Sequence, residues 1–99
     1  MNMQQIMAQA QKMQRELKKA QDELAKKEFS ISKGGAVTVK MLGDKHIVSI
    51  DIDEDAFDKE NKDMVQDMIA LAINALIEQI EAENEAINER ITGRSGGLF

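Results

Sequence analysis

Along the first 27 residues an apolar series runs through Met3, Ile6, Ala10, Met13, Leu17, Ala20 and Leu24, in alternating steps of three and four. This is a heptad seam, with Met3, Ala10, Leu17 and Leu24 at a and Ile6, Met13 and Ala20 at d. It predicts one helix from Asn2 to about Lys27. From Glu28 the period shortens to two. Phe29 and Ile31 alternate with Ser30 and Ser32, Val37, Val39 and Met41 with Thr38 and Lys40, and Val48, Ile50 and Ile52 with Ser49, Asp51 and Asp53. Gly34-Gly35 and Gly43-Asp44-Lys45 separate these runs as turns, so the segment predicts an antiparallel three-stranded meander with one apolar face. A helical period returns near Asp58 or Asn61, either of which suits an N-cap, and continues to about Ile91, before Gly93. The pattern describes an α+β chain: long N-terminal helix, meander, long C-terminal helix. It forms a single domain over residues 1–92 with a flexible Gly-rich tail at 93–99.

Helix length adds a constraint. Helices of about 26 and 30 residues reach about 39 and 45 Å, whereas strands of this size span only about 20 Å. Both helices must overhang the sheet. The first half of the second helix is apolar over a broad arc from Met64 to Ile77, wider than the roughly 100° stripe a surface helix needs. One helix and three short strands do not cover it, so a homodimer is expected. Its interface is expected to use Met68, Ile69, Ala72, Ile73, Leu76, Ile77, Ile80, Asn84 and Ile87. Asn84 interrupts an otherwise isoleucine seam. It either fixes the register of that seam or sits half-solvated where the helix frays outward.

Composition then removes most chemistry. The 99 residues include no Cys, so disulfides, zinc-thiolate sites and cysteine catalysis are excluded, and no Pro, so nothing interrupts the helices. Seven Met and three Phe, without Trp or Tyr, supply a soft core. His46 is the only histidine and adjoins a turn. The acidic run Asp51, Asp53, Glu54, Asp55 and Asp58 lacks the central Gly of a calcium loop and is interrupted by Ala56 and Phe57. Gly34-Gly35 lacks the Lys-Ser/Thr of a phosphate loop. No enzyme, metal site or cofactor is expected. No apolar run reaches transmembrane length and the N-terminus has no signal-peptide pattern, so a cytoplasmic protein without a membrane partner is expected.

The net charge of −5 argues at first against nucleic acid. It hides a division. Residues 1–45 carry nine basic and five acidic groups, whereas residues 46–99 carry four and thirteen. On the heptad, Lys12, Lys19 and Lys26 fall at c, Arg15 at f and Lys18 at b, on the face opposite the apolar seam. Asp22 is the only acid along that stripe. The stripe suits a phosphate backbone. Taken alone, it is better explained as a solvated helix with i,i+4 pairs Asp22–Lys26 and Glu23–Lys27.

Several segments resemble the YbaB/EbfC family of bacterial nucleoid-associated proteins. Met7-Ala8-Gln9-Ala10-Gln11-Lys12-Met13-Gln14 is similar to its opening helix, and GGAVTVKMLGDKHIVSIDID (Gly34 to Asp53) to its meander. Asp63-Met64-Val65-Gln66-Asp67-Met68-Ile69, with Ala72-Ile73-Asn74-Ala75, resembles its second helix, and Thr92-Gly93 with Gly96-Gly97-Leu98 its tail. The resemblance implies a tweezer-like homodimer that binds double-stranded DNA in the nucleoid through protruding helices. It implies a possible recombination or replication protein as a further partner. It nominates Lys12, Arg15, Lys18, Lys19 and Lys26 on the first helix, with Arg90 and Arg94 at the far end of the second. Glu78, Glu81, Glu83, Glu85 and Glu89 depart from a DNA-binding pattern and disfavour phosphate contact along the second helix. An alternative is a prefoldin-like holdase gripping unfolded chains with the apolar end Met3, Ile6 and Met7.

Overall fold

The computed structural model describes residues 2–93. Helix α1 spans Met3–Lys26, followed by β1 (Glu28–Lys33), β2 (Val37–Leu42) and β3 (Ile47–Ile52). Two 3-10 turns, Glu54–Ala56 and Lys59–Asn61, lead into α2, Lys62–Thr92. The sheet is antiparallel in the order β1-β2-β3, so the element order expected from the pattern is the one observed. The expected tail beyond Gly93 lies outside the described residues.

Local chemistry sets the boundaries. The Asn2 side chain accepts a hydrogen bond from the Gln5 backbone N–H at 2.8 Å and caps α1. The entry to α2 differs in detail from the expected cap. Asp58 caps the preceding 3-10 turn, accepting from the Glu60 N–H at 3.0 Å. Asn61 holds the cap position but donates its side-chain amide to the Ala56 carbonyl at 3.3 Å. At the other end Gly93 closes α2 in the left-handed region, its N–H bonded to the Glu89 carbonyl.

Gly34 and Gly35, both at positive φ, form the β1–β2 turn. Gly43 is needed for a different reason. Its N–H donates to the Lys27 carbonyl at 2.9 Å, and a Cβ there would lie 1.7 Å from the Leu24 carbonyl oxygen. The β2–β3 turn therefore sits directly on the C-terminal end of α1. Gly43→Ala should cost about 2–3 kcal/mol, as overpacking against main chain does. A urea melt checks this, and an unchanged midpoint would show that the contact is looser than the geometry indicates.

The core lies where α2 crosses β1 and β2. Phe29, Val37, Val39 and Met41 meet Ala72, Leu76 and Ile80, and the cluster extends through Leu24 and Ile87 to the α1–α2 packing. The expected apolar face is only partly covered. In β3 just Ile52 is half-buried, while Ile47, Val48 and Ile50 stay 43–50% exposed. β3 is an edge strand, and α2 passes over the other two. The molecule is long, with a largest extent of 69 Å and a radius of gyration of 19.2 Å, against about 13 Å for a compact domain of this size.

Candidate nucleic-acid interface

The outer face of α1 carries the positive charge. Lys12, Arg15, Lys18, Lys19 and Lys26 are all exposed. Arg15, Lys18, Lys19 and Lys26 line one shallow groove together with Asp22 and Glu23, and Lys12 lies one turn nearer the free end. The expected pairs Asp22–Lys26 and Glu23–Lys27 are not those formed. Asp22 instead faces back to Lys18 at 3.7 Å, and Lys27 reaches across to Glu83 on α2. Among the described residues Lys12, Arg15, Lys19 and Lys26 have no acidic partner within salt-bridge distance. Arg90, in the last turn of α2, is exposed and lines the α1–α2 cleft with Glu16, Lys19, Ala20 and Glu23. The fold therefore adds it to the basic stripe near Lys19. Arg94 lies outside the described residues.

The acidic crowding of α2 is partly neutralised in a way the sequence did not reveal. Glu83 is paired with Lys27 and Glu81 with Lys45, the latter at 3.3 Å. The Lys27 ammonium also stands 5.1 Å from the Phe29 ring centroid. These partners are 56 and 36 residues apart. No local spacing signals them, because they exist only once α2 has folded back over the sheet. In the β2–β3 turn, Asp44 accepts from the His46 backbone N–H and from its imidazole Nδ1. These bonds hold the Asp44 carboxyl below its ordinary value. His46 thus braces a turn.

The residues expected at a dimer interface divide in two. Ala72, Leu76, Ile80 and Ile87 are already buried within one chain, whereas Met68, Ile69, Ile73, Ile77 and Asn84 are half-buried. Asn84 lines a cleft with Gln21, Leu24, Ala25 and Lys45, facing α1 of its own chain. Among the described residues no helix is long and apolar enough to cross a membrane.

Residues 1–95 match the YbaB/EbfC DNA-binding family. The chain belongs to this family. A nucleoid-associated protein of Clostridium novyi is 44% identical over 94 residues, covering 94% of this chain and 82% of the relative. A nucleoid-associated protein of Chloroflexus aurantiacus is 38% identical over 100 residues, covering both chains completely. The crystal structure of the uncharacterized protein HP0035 from Helicobacter pylori has the same fold, with a TM-score of 0.77 at 21% identity over 94% of this chain and 99% of that one. The family is described as DNA-binding, and these relatives are nucleoid-associated proteins of bacteria. Against that background the α1 stripe is the DNA-facing candidate of this member.

Proposed function

We propose that the protein binds double-stranded DNA as a homodimer, mainly through phosphates, and that it organises or regulates DNA within the nucleoid. The observation that carries the reading is the α1 stripe: five basic side chains on one exposed face, of which only Lys18 is ion-paired among the described residues. Contacts of this type fix position on the duplex but carry little sequence information. The glutamates of α2 limit the arm's field, although the pairing of Glu81 and Glu83 reduces their effect on a nearby phosphate.

The dimer is supported by what one chain leaves open. β3 offers an unpaired edge with apolar side chains, the feature that most readily recruits another strand. Beside the buried ridge of α2, Ile69, Ile73 and Ile77 recur at i, i+4 and i+8 as a second, half-covered ridge. A second copy laid along β3 and this ridge would remove both from water. The four residues buried within one chain support that surface from behind.

The test is a fluorescence titration of a 30-bp duplex at 50 and 200 mM salt, with light scattering on the same sample. Scattering should give twice the chain mass. If the dimer contacts about four phosphates, the association constant should fall about 150-fold across that salt step. An intact dimer that binds no duplex at 50 mM would rule the reading out.

A further inference from the structure

The two helices of the arm carry opposite charge along opposite edges. On α1, Lys12, Arg15, Lys19 and Lys26 each stand two residues from a seam position, Ala10, Leu17 or Leu24. On α2, Glu78, Glu85 and Glu89 each stand two residues from buried Leu76, Ile80 or Ile87. Two residues are a rotation of about 200°, so both sets point away from the packed side of their helix. All of them are exposed, and among the described residues none has a salt-bridge partner. From Asp63 to Glu89 the chain has no basic residue. Glu81, Glu85 and Glu89 repel one another at i,i+4, and Lys45 relieves only Glu81. Glu16 and Glu23 lie at the margin of the basic edge, in the cleft with Arg90.

We propose that the acidic edge of α2 in one copy docks on the basic edge of α1 in another, stacking arms side by side in competition with DNA. The competition rests on assigning the α1 stripe to DNA; the contact between copies does not. Charge complementarity selects this occupant. Both edges are helical rows, with rises of about 21 Å from Lys12 to Lys26 and about 17 Å from Glu78 to Glu89. Laid together, they give each unpaired glutamate a cation and offset the repulsion that its own chain leaves standing. The net charge of −5 makes whole copies repel. At 0.1 M salt, however, the Debye length of about 10 Å is shorter than either edge, so the facing rows dominate at contact. Each arm presents one edge of each sign. The contact is therefore heterologous and continues from copy to copy instead of closing. It is separate from β3 and the ridge of Ile69, Ile73 and Ile77 assigned to the dimer. Exposed ion pairs are individually weak, so stacking needs concentrated protein, and the dimer remains the species present in a dilute titration.

Sedimentation velocity tests the contact without DNA. At several hundred micromolar chain and 50 mM salt the average mass should exceed twice the chain mass, and at 500 mM salt it should return to that value. Glu78→Lys, Glu85→Lys and Glu89→Lys combined should hold the protein at twice the chain mass. So should Lys12→Glu, Arg15→Glu and Lys19→Glu combined. An equimolar mixture of the two variants should stack again, because each supplies the edge the other has lost. Wild-type protein that stays at twice the chain mass overturns the proposal. So does a variant that stacks undiminished alone, or a mixture of folded variants that fails to stack. Carbodiimide coupling needs no variant: on concentrated wild-type protein it should join Lys19 or Lys26 of one copy to Glu85 or Glu89 of another. Absence of these links overturns the contact. A saturating 30-bp duplex should reduce them several-fold. Links that persist undiminished on bound DNA leave the contact standing and overturn the competition, and stacking by protein that binds no duplex rejects the DNA reading alone.

Discussion

Replacing Lys12, Arg15 and Lys19 together by glutamate should abolish duplex binding at 50 mM salt, a loss of at least about 100-fold. The three residues occupy the c, f and c positions of consecutive turns, and each is exposed and without a salt-bridge partner among the described residues. Each reversal removes one cation facing a phosphate and adds an anion that repels it, so three reversals change the arm's charge by six. The fold should survive, because the positions lie opposite the packed seam. The new like-charge neighbours, such as position 19 with Glu23, cost only a few tenths of a kcal/mol each. A gel shift and a thermal melt on the same preparation separate the two effects. Undiminished binding by a folded variant would move the DNA contact elsewhere, and a residual weak complex should be the more easily screened, since the Debye length is about 10 Å at 0.1 M salt.

The second large effect belongs to the core. Leu76 is fully buried where α2 crosses the sheet, and Leu76→Ala should destabilise the protein by about 3–4 kcal/mol. That is a large part of the roughly 5–15 kcal/mol available to a small domain. Leu71, on the far side of the same helix and 54% exposed, provides the control. Leu71→Ala should change stability by less than about 1 kcal/mol. Urea melts must share one protein concentration, because association of copies would raise apparent stability. Equal losses from the two variants would show that α2 is rotated from its described orientation.

These cases show what the sequence reveals and what it leaves hidden. The heptad of α1, the three alternating runs and the two glycine turns are local patterns, and each became the element its period implied. The basic stripe was legible for the same reason, since it follows from the heptad alone. The fate of β3 was not. Alternation marks Ile50 and Ile52 as facing one side of a sheet, but only the path of α2 decides that Ile52 is half-covered while Ile50 is left open. The pairing of Glu81 and Glu83 was hidden likewise. A run of glutamates reads as repulsive until the chain folds a lysine from the α1 terminus and another from a turn against it. Burial of Ala72, Leu76, Ile80 and Ile87 within one chain also depended on that crossing, which the breadth of the apolar arc alone does not orient.

The approach of Gly43 to α1 affects which positions of this chain can change freely. The arm leaves the sheet through a main-chain contact: the Gly43 N–H on the Lys27 carbonyl, and a glycine with no side chain to keep it off Leu24. A direction fixed by peptide groups is insensitive to the identity of exposed side chains farther along the rod. The outer surface of the arm can then change, gaining or losing cations and amides, while its aim relative to the sheet stays the same. Selection on what the arm touches and selection on where it points act on separate positions.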